Sequence, residues 1–181
     1  MKYPLYHRVH REMTGNTLYP LNVLKSKYPE LYEKYIKKYK NRPHVLEQKI
    51  PILDCLWNDV VHLSSIHPME IKQALASIGI EYSGKFFVID AENLDQGKLV
   101  IWLNTKDSLK GEKGATSLEY FERFNLQKYD TFYKIFPKER QIKAWQTWIQ
   151  ENQTPPLVLS KCPHFLYKGE IPLDGVKIIN I

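Results

Sequence analysis

Apolar positions recur along this chain with two different periods, and the two periods predict both strands and helices. Short apolar runs rich in branched and aromatic residues are typical of strands. The predicted strands cover residues 3–9, 50–53, 59–64, 85–90, 98–103, 157–159, 164–167 and 176–179. The stretch from 50 to 64 fits either two strands or one strand with an irregular approach. The seven-residue connection after residue 90 favours a hairpin or meander.

Apolar residues at helical spacing predict four helices between these strands. They begin at Pro29, at Pro68, at the capping-box spacing of residues 116–119 and at Pro137, because proline and capping residues are favoured in the first turn. The second helix is expected to end at Gly79, where glycine can adopt a left-handed cap. Strands at both ends with helices inserted between them predict an α+β fold in a single globular domain, residues 1–181.

The apolar faces of these helices predict which of their residues are buried. The expected core residues are Leu31, Tyr32, Tyr35, Ile36 and Tyr39 in the first helix, Ile71, Ala74, Leu75 and Ile78 in the second, Tyr120, Phe121 and Phe124 in the third, and Ile142, Trp145, Trp148 and Ile149 in the fourth. Between the strands and the third helix, two glycines within residues 110–115 predict a mobile loop.

Composition narrows the class of protein. The 181 residues are 43% hydrophobic and 25% charged, which excludes a disordered or fibrous chain. No apolar run approaches the ~20 residues of a membrane span, and the first residues lack an apolar signal core, so we expect a cytoplasmic protein with no membrane partner. Two distant cysteines are expected to stay reduced.

The excess of positive charge indicates the kind of partner that the protein binds. A net charge of +6 and a pI near 9.1 favour polyanions such as nucleic acid or nucleotides. The densest basic run holds Lys34, Lys37, Lys38 and Lys40 at the end of the first predicted helix. Cations at a helix C-terminus stabilise it, so we expect these lysines on a solvated face away from the histidines. Direct binding of nucleic acid by these lysines is the alternative interpretation.

Common catalytic signatures are absent, so candidate chemistry comes from the six histidines. The chain has no phosphate-binding glycine loop, no nucleophile elbow and no Cys-x-x-Cys. The histidine spacings do not fit a common zinc site, and no metal is expected. His7, His62 and His164 lie in apolar extended runs, which places each of them either in the core or in a cleft. Imidazole can hold ribose hydroxyls or phosphate in a cleft.

Three segments resemble the ADP-ribosyltransferase-like superfamily, and they follow the same order as in that superfamily. Residues 6–9, Tyr-His-Arg-Val, resemble its first strand. Residues 61–64, Val-His-Leu-Ser, with the helix ending at Gly79, resemble the RNA 2′-phosphotransferases of the superfamily. Residues 164–172 are similar to a late strand and Ile-Pro turn of DarT-type DNA ADP-ribosyltransferases.

The resemblance implies a split β-sheet whose cleft holds NAD as substrate. His7, Arg8 and Ser64 would bind NAD, and His62, His164 and Glu170 would carry catalysis. The chain departs from the DarT-type pattern, because His164 stands where those enzymes have their catalytic glutamate and the nearest acid is Glu170. Breaking the nicotinamide–ribose bond develops positive charge on the sugar, and histidines and arginines suit the phosphate half of the substrate better than this cation.

Three functions follow from these patterns. The first is an ADP-ribosyltransferase-like protein that transfers ADP-ribose or a related group to a macromolecule, either nucleic acid or protein. The second is a non-catalytic nucleotide or nucleic-acid binding module of the same fold, since a fold alone does not establish chemistry. The third is an interaction protein whose histidines belong to the core. The first two predict that His7, His62 and His164 line a common cleft.

Overall fold

Helices and antiparallel strands are mixed along the chain, so the fold is α+β, as predicted. The computed structural model describes residues 1–13, 15–40, 43–103, 117–154, 156–159 and 161–181. The strands are β1 (Pro4–Arg8), β2 (Thr17–Leu18), β3 (Lys49–Ile50), β4 (Cys55–Leu56), β5 (Val61–Leu63), β6 (Lys85–Asp90), β7 (Leu99–Trp102), β8 (Phe121–Arg123), β9 (His164–Tyr167), β10 (Ile171–Pro172) and β11 (Lys177–Asn180). The helices are α1 (Leu21–Lys27), α2 (Pro29–Ile36), α3 (Pro68–Ala76) and α4 (Lys138–Asn152).

Two antiparallel sheets form the centre of the fold. One has the order β1-β6-β11, and the other has the order β5-β9-β7-β8. Within the described residues their backbones pair at one position, where the amide of Tyr6 donates to the Ser64 carbonyl at 2.7 Å and the amide of Ser64 donates to the Tyr6 carbonyl at 3.1 Å. Because β1 and β5 pair only here among the described residues, the two sheets diverge from a fork at this point.

One face of both sheets buries a shared core. Side chains alternate between the faces of a strand, so every second residue of a strand reaches this core. Its members include Leu5 of β1, Leu63 of β5, Phe87 of β6, Ile101 of β7 and Phe165 of β9. The shared core holds the two sheets together despite the divergence of their backbones.

The opposite face of the four-stranded sheet carries a second apolar cluster, which includes Val60, Val100, Phe121 and Leu166. A third cluster joins α3 to α4 through Ile71, Leu75, Trp145 and Cys162. None of the helices in the described ranges is both long enough and apolar enough to cross a bilayer.

Several elements match their sequence signals. The strand predicted over 85–90 and the one over 164–167 are β6 and β9. Helices α2 and α3 begin at the predicted prolines, Pro29 and Pro68, and α4 begins directly after Pro137. Gly79 has the expected left-handed conformation, with φ +77°.

The expected hairpin after residue 90 is wrong. Strand β6 belongs to the three-stranded sheet and β7 to the four-stranded one. Two 3₁₀ turns, Ala91–Asn93 and Gln96–Lys98, carry the chain from one sheet to the other. Strand periodicity indicates which side chains are buried, but it does not determine which strand supplies the backbone partner.

The predicted helix at 116–119 is also wrong within the described residues. Leu118–Tyr120 is a single 3₁₀ turn, and Phe121 starts β8 at the edge of the four-stranded sheet. Strand formation buries Phe121 against the second cluster, and this packing replaces the short helix. The loop predicted over 110–115 lies outside the described residues.

The structure also differs from the sequence predictions in smaller ways. Trp145 is buried as predicted, whereas Trp148 is 40% exposed because the neighbouring elements cover only one side of α4. Residues 157–159 do not form a strand. A 3₁₀ turn, Pro51–Leu53, ends β3 after Ile50. The sequence analysis missed α1, a seven-residue helix.

Candidate functional site

His7 fills the gap at the fork between the two sheets. A continuous antiparallel ladder would next pair Arg8 with His62, but the side chain of His7 takes that place, and its Nδ1 lies 2.9 Å from the His62 carbonyl oxygen. A carbonyl only accepts, so Nδ1 carries the proton and Nε2 is left as an acceptor. Burial lowers the pKa of His7, which keeps the ring neutral at pH 7.

His62 is held by the segment that precedes β5. Its Nε2 donates to the Trp57 carbonyl at 3.0 Å, and its ring centroid lies 4.9 Å from that of Trp57. Burial, with a smaller effect of the neighbouring His164 and His7, lowers the pKa of His62 to about 3. His62 is therefore a neutral imidazole with Nδ1 as its acceptor.

His164 joins the same group through a row of aromatic rings. Strands β7 and β9 place Trp102 directly opposite His164, with ring centroids 5.2 Å apart. The Trp102 ring lies 5.1 Å from that of Trp57, which in turn contacts His62. Burial lowers the pKa of His164 to about 4. We call His7, His62, His164, Trp57 and Trp102 the histidine cluster; its three imidazoles are half-buried rather than sealed in the core.

The four lysines predicted to lie on a solvated face are all exposed, and the charge of one of them, Lys38, acts on this cluster. After burial, the charge of Lys38 is a further cause of the lowered pKa of both His7 and His62. Lys38 is exposed on the 3₁₀ turn that follows α2. Lys34, in α2 itself, forms an ion pair with Glu12 instead. A cation beside neutral imidazoles makes the cluster favourable for an anionic ligand.

The other predicted site residues are engaged elsewhere. Arg8 donates from Nη2 to the Ser83 carbonyl at 2.8 Å, and its guanidinium lies over the Tyr82 ring. Ser64 is at the fork, but its hydroxyl accepts from the Ile66 amide at 3.1 Å and is buried. The polar groups of both side chains are therefore used in contacts within the fold.

Glu170 lies beyond the opposite end of β9 from His164. It forms an exposed ion pair with Lys27 at 2.6 Å. No described carboxylate hydrogen-bonds to His7, His62 or His164 or raises the pKa of any of them. The structure therefore brings three predicted residues together and leaves the predicted acid apart from them.

Buried polar atoms without partners mark residues that the sequence analysis missed. Trp102 Nε1 and His164 Nδ1 are buried with no hydrogen bond, and so are both amide atoms of Asn58, beside Trp57. An unmet buried polar group costs about 1–3 kcal/mol, which a ligand can recover. The Trp-Asn-Asp triplet at 57–59, just before the histidine strand, was the available signal.

Neither metal binding nor cysteine chemistry is supported by the described residues. Within the described residues, no group of three His, Cys, Asp or Glu side chains is arranged to hold a metal ion. A separate recess of about 270 Å³ is lined by Lys49, Asp54, Cys55, Leu56 and Asp59. Burial raises the pKa of Cys55 to about 11, so its thiol stays protonated and unreactive at neutral pH.

No protein-family model, curated protein or solved structure matches this chain. The chemistry of the histidine cluster and its surroundings is therefore the available indication of function.

Proposed function

We propose that this chain is an ADP-ribosyltransferase-like NAD-binding protein that transfers ADP-ribose, or a related group, to a macromolecule. The observation that supports the proposal is the fork at Tyr6 and Ser64, where two sheets part and His7 and His62 occupy the gap. The expected split sheet requires such a fork, with its histidines at the cleft. The order of His7, His62 and His164 along the chain also agrees with the resemblance.

In this proposal the cluster binds and orients NAD. The free acceptors, Nε2 of His7 and Nδ1 of His62, accept hydrogen bonds from ribose hydroxyls. The rings of Trp57 and Trp102 offer apolar surface to a planar base. Lys38 adds a positive charge for the pyrophosphate.

A second candidate is favoured by one specific observation. Cleavage of the nicotinamide–ribose bond benefits from an anion beside the sugar cation, and Glu170 lies beyond the far end of β9. Neutral histidines bind hydroxyls and phosphates but do not compensate a positive charge. A non-catalytic nucleotide-binding module is therefore the alternative function of the same cluster.

One experiment separates the two candidates. The melting temperature is measured with and without NAD, and released nicotinamide is quantified by chromatography after incubation with a nucleic acid or protein acceptor. Stabilisation with nicotinamide release supports the transferase, and stabilisation without release supports the binding module. The absence of any stabilisation contradicts both candidates.

Two variants test whether NAD binds at the histidine cluster. His62→Gln removes the imidazole from the cluster, so we expect NAD to lose most of its stabilising effect. His44→Gln is the matched control, because His44 is exposed on the 3₁₀ turn Pro43–Glu47. An equal NAD response in the His62→Gln and wild-type proteins would place NAD outside the histidine cluster.

A further inference from the structure

The start of α4 carries a cation whose hydrogen-bonding capacity is not used. Arg140 is half-buried in the first turn of the helix, and its Nη2 is buried with no hydrogen-bond partner. Arg140 forms no ion pair with any described carboxylate. A buried guanidinium nitrogen without an acceptor lowers the stability of the fold, so an acceptor supplied by a ligand would stabilise it.

A second cation, Lys161, is anchored to the residue that follows Arg140. Gln141 is fully buried, and its Oε1 accepts from the backbone amide of Lys161 at 3.0 Å, which fixes Lys161 against α4. Burial and the charge of Arg140 both lower the pKa of Lys161. The backbone of Lys161 is thus fixed beside the helical turn that carries Arg140, and neither cation forms an ion pair with a carboxylate in the described part of the chain.

The acid that acts electrostatically on this region is Glu70 of α3. Its charge adds to burial in raising the pKa of Cys162, whereas Arg140 lowers that pKa. Glu70 makes no ion pair with Arg140 or Lys161 within 4.0 Å among the described contacts. It therefore does not neutralise the two cations.

The unmet hydrogen-bonding atom of Arg140 is a donor, Nη2, and no described acceptor satisfies it. A buried donor on one cation, with a second cation anchored beside it, is complementary to a ligand with several acceptor oxygens and about two negative charges.

From this arrangement we infer that Arg140 and Lys161 form a binding site for a phosphoryl group. A phosphate dianion balances both charges and offers oxygens to both side chains, whereas a single carboxylate leaves one charge uncompensated. The site uses side chains other than those of the histidine cluster, and the proposal does not depend on NAD binding. A free phosphate and the 5′-phosphate of a nucleotide share this chemistry.

Inorganic phosphate is the first probe. Titration calorimetry at constant ionic strength, with chloride as the reference anion, measures phosphate binding to the wild type, Arg140→Gln, Lys161→Gln and Lys143→Gln. Lys143 is the matched control, because it is an exposed lysine one turn further along α4. We expect the phosphate affinity to fall at least about tenfold in Arg140→Gln and Lys161→Gln and to stay unchanged in Lys143→Gln. Equal affinity in all four proteins, or no phosphate binding to the wild type, would overturn the inference.

Adenosine monophosphate is the second probe and distinguishes the sources of the phosphoryl group. Tighter binding of the nucleotide than of phosphate, lost in Arg140→Gln, assigns the site to nucleotides. Equal binding of both probes assigns it to the free anion. Failure of NAD to bind leaves both titrations interpretable, since neither contains NAD.

Stability in phosphate-free buffer provides an independent check. Arg140→Gln removes a like-charge repulsion and an unmet donor, so we expect this variant to melt at or above the wild-type temperature. A clear decrease in melting temperature would show that Arg140 has a structural role in the fold and would contradict a site held open for a ligand.

Discussion

At the scale of single residues, the histidines are fixed by contacts that sequence spacing did not reveal. The sequence pattern left His62 either in the core or in a cleft. Its ring donates to the Trp57 carbonyl and packs on the Trp57 indole. A side chain with both contacts contributes to folding as well as to any site.

Replacing His62 by alanine should therefore lower the free energy of unfolding by about 2 kcal/mol, because the Trp57 carbonyl loses its donor and the indole loses a packed ring. Urea denaturation measures this change. The exposed His44→Ala variant should stay within about 0.5 kcal/mol of the wild type. A His62→Ala variant as stable as the control would mean that the imidazole has no structural role.

Stability should also fall in mild acid. His62 and His164 are neutral in the folded state, with pKa values lowered to about 3 and about 4, whereas in the unfolded chain they take up protons near pH 6.5. The unfolded state then binds more protons, so stability decreases as the pH falls below about 6.5, by up to ~1.4 kcal/mol per pH unit for each histidine. Above pH 7 these residues contribute no pH dependence.

Urea denaturation at pH 7.5, 6.5, 5.5 and 4.5 tests this slope. The His62→Gln variant lacks one of the titrating groups, so the difference in unfolding free energy between wild type and variant should change in the variant's favour as the pH falls. A difference that is constant over this range would contradict the neutral, buried state of His62.

At the scale of elements, the sequence predictions agree with the structure where the backbone conformation at one position requires a particular residue. The end of α3 is an example, because Gly79 has φ +77°, a conformation that residues with a Cβ adopt at a cost. A Cβ at this position would meet no heavy atom within 4 Å, so backbone strain is the only penalty.

Gly79→Ala should accordingly destabilise the protein by about 1 kcal/mol. Gly79→Asn should cost less, since asparagine tolerates the left-handed region better than alanine does. Thermal or urea denaturation of the two variants measures the difference. If alanine cost no more than asparagine, strain at this cap could not be the reason for glycine.

At the scale of the whole molecule, the fork divides one potential seven-stranded sheet into two. Among the described contacts, the amides of Tyr6 and Ser64 are paired across the fork, whereas those of Arg8 and His62, which would form the next pair, have no backbone partner. The fork therefore leaves two amides unprotected beside well-formed strands.

Hydrogen exchange followed by NMR should detect this boundary. We expect the amides of Arg8 and His62 to exchange at least about tenfold faster than those of Tyr6 and Ser64, because exchange at the unpaired positions needs no opening of a strand pair. The His7 amide is the internal control, since it faces β6 within the three-stranded sheet. Similar protection at Arg8, Tyr6 and His7 would indicate a continuous sheet without a fork.

The chain's own sequence determined the features that depend on neighbouring residues: the strands β6 and β9, the starts of α2 and α3 at proline, the left-handed Gly79 and the α+β class. These follow from local propensity and side-chain period. The tertiary structure alone decided that β6 and β7 separate, that Phe121 joins a sheet and that Glu170 lies far from His164, because strand partners and burial depend on residues distant in sequence. For the same reason, periodicity could not reveal the row formed by Trp57, Trp102 and His164 or the hydrogen bond that fixes Lys161 to Gln141, beside Arg140. Each of these groups joins segments that only the folded chain brings together.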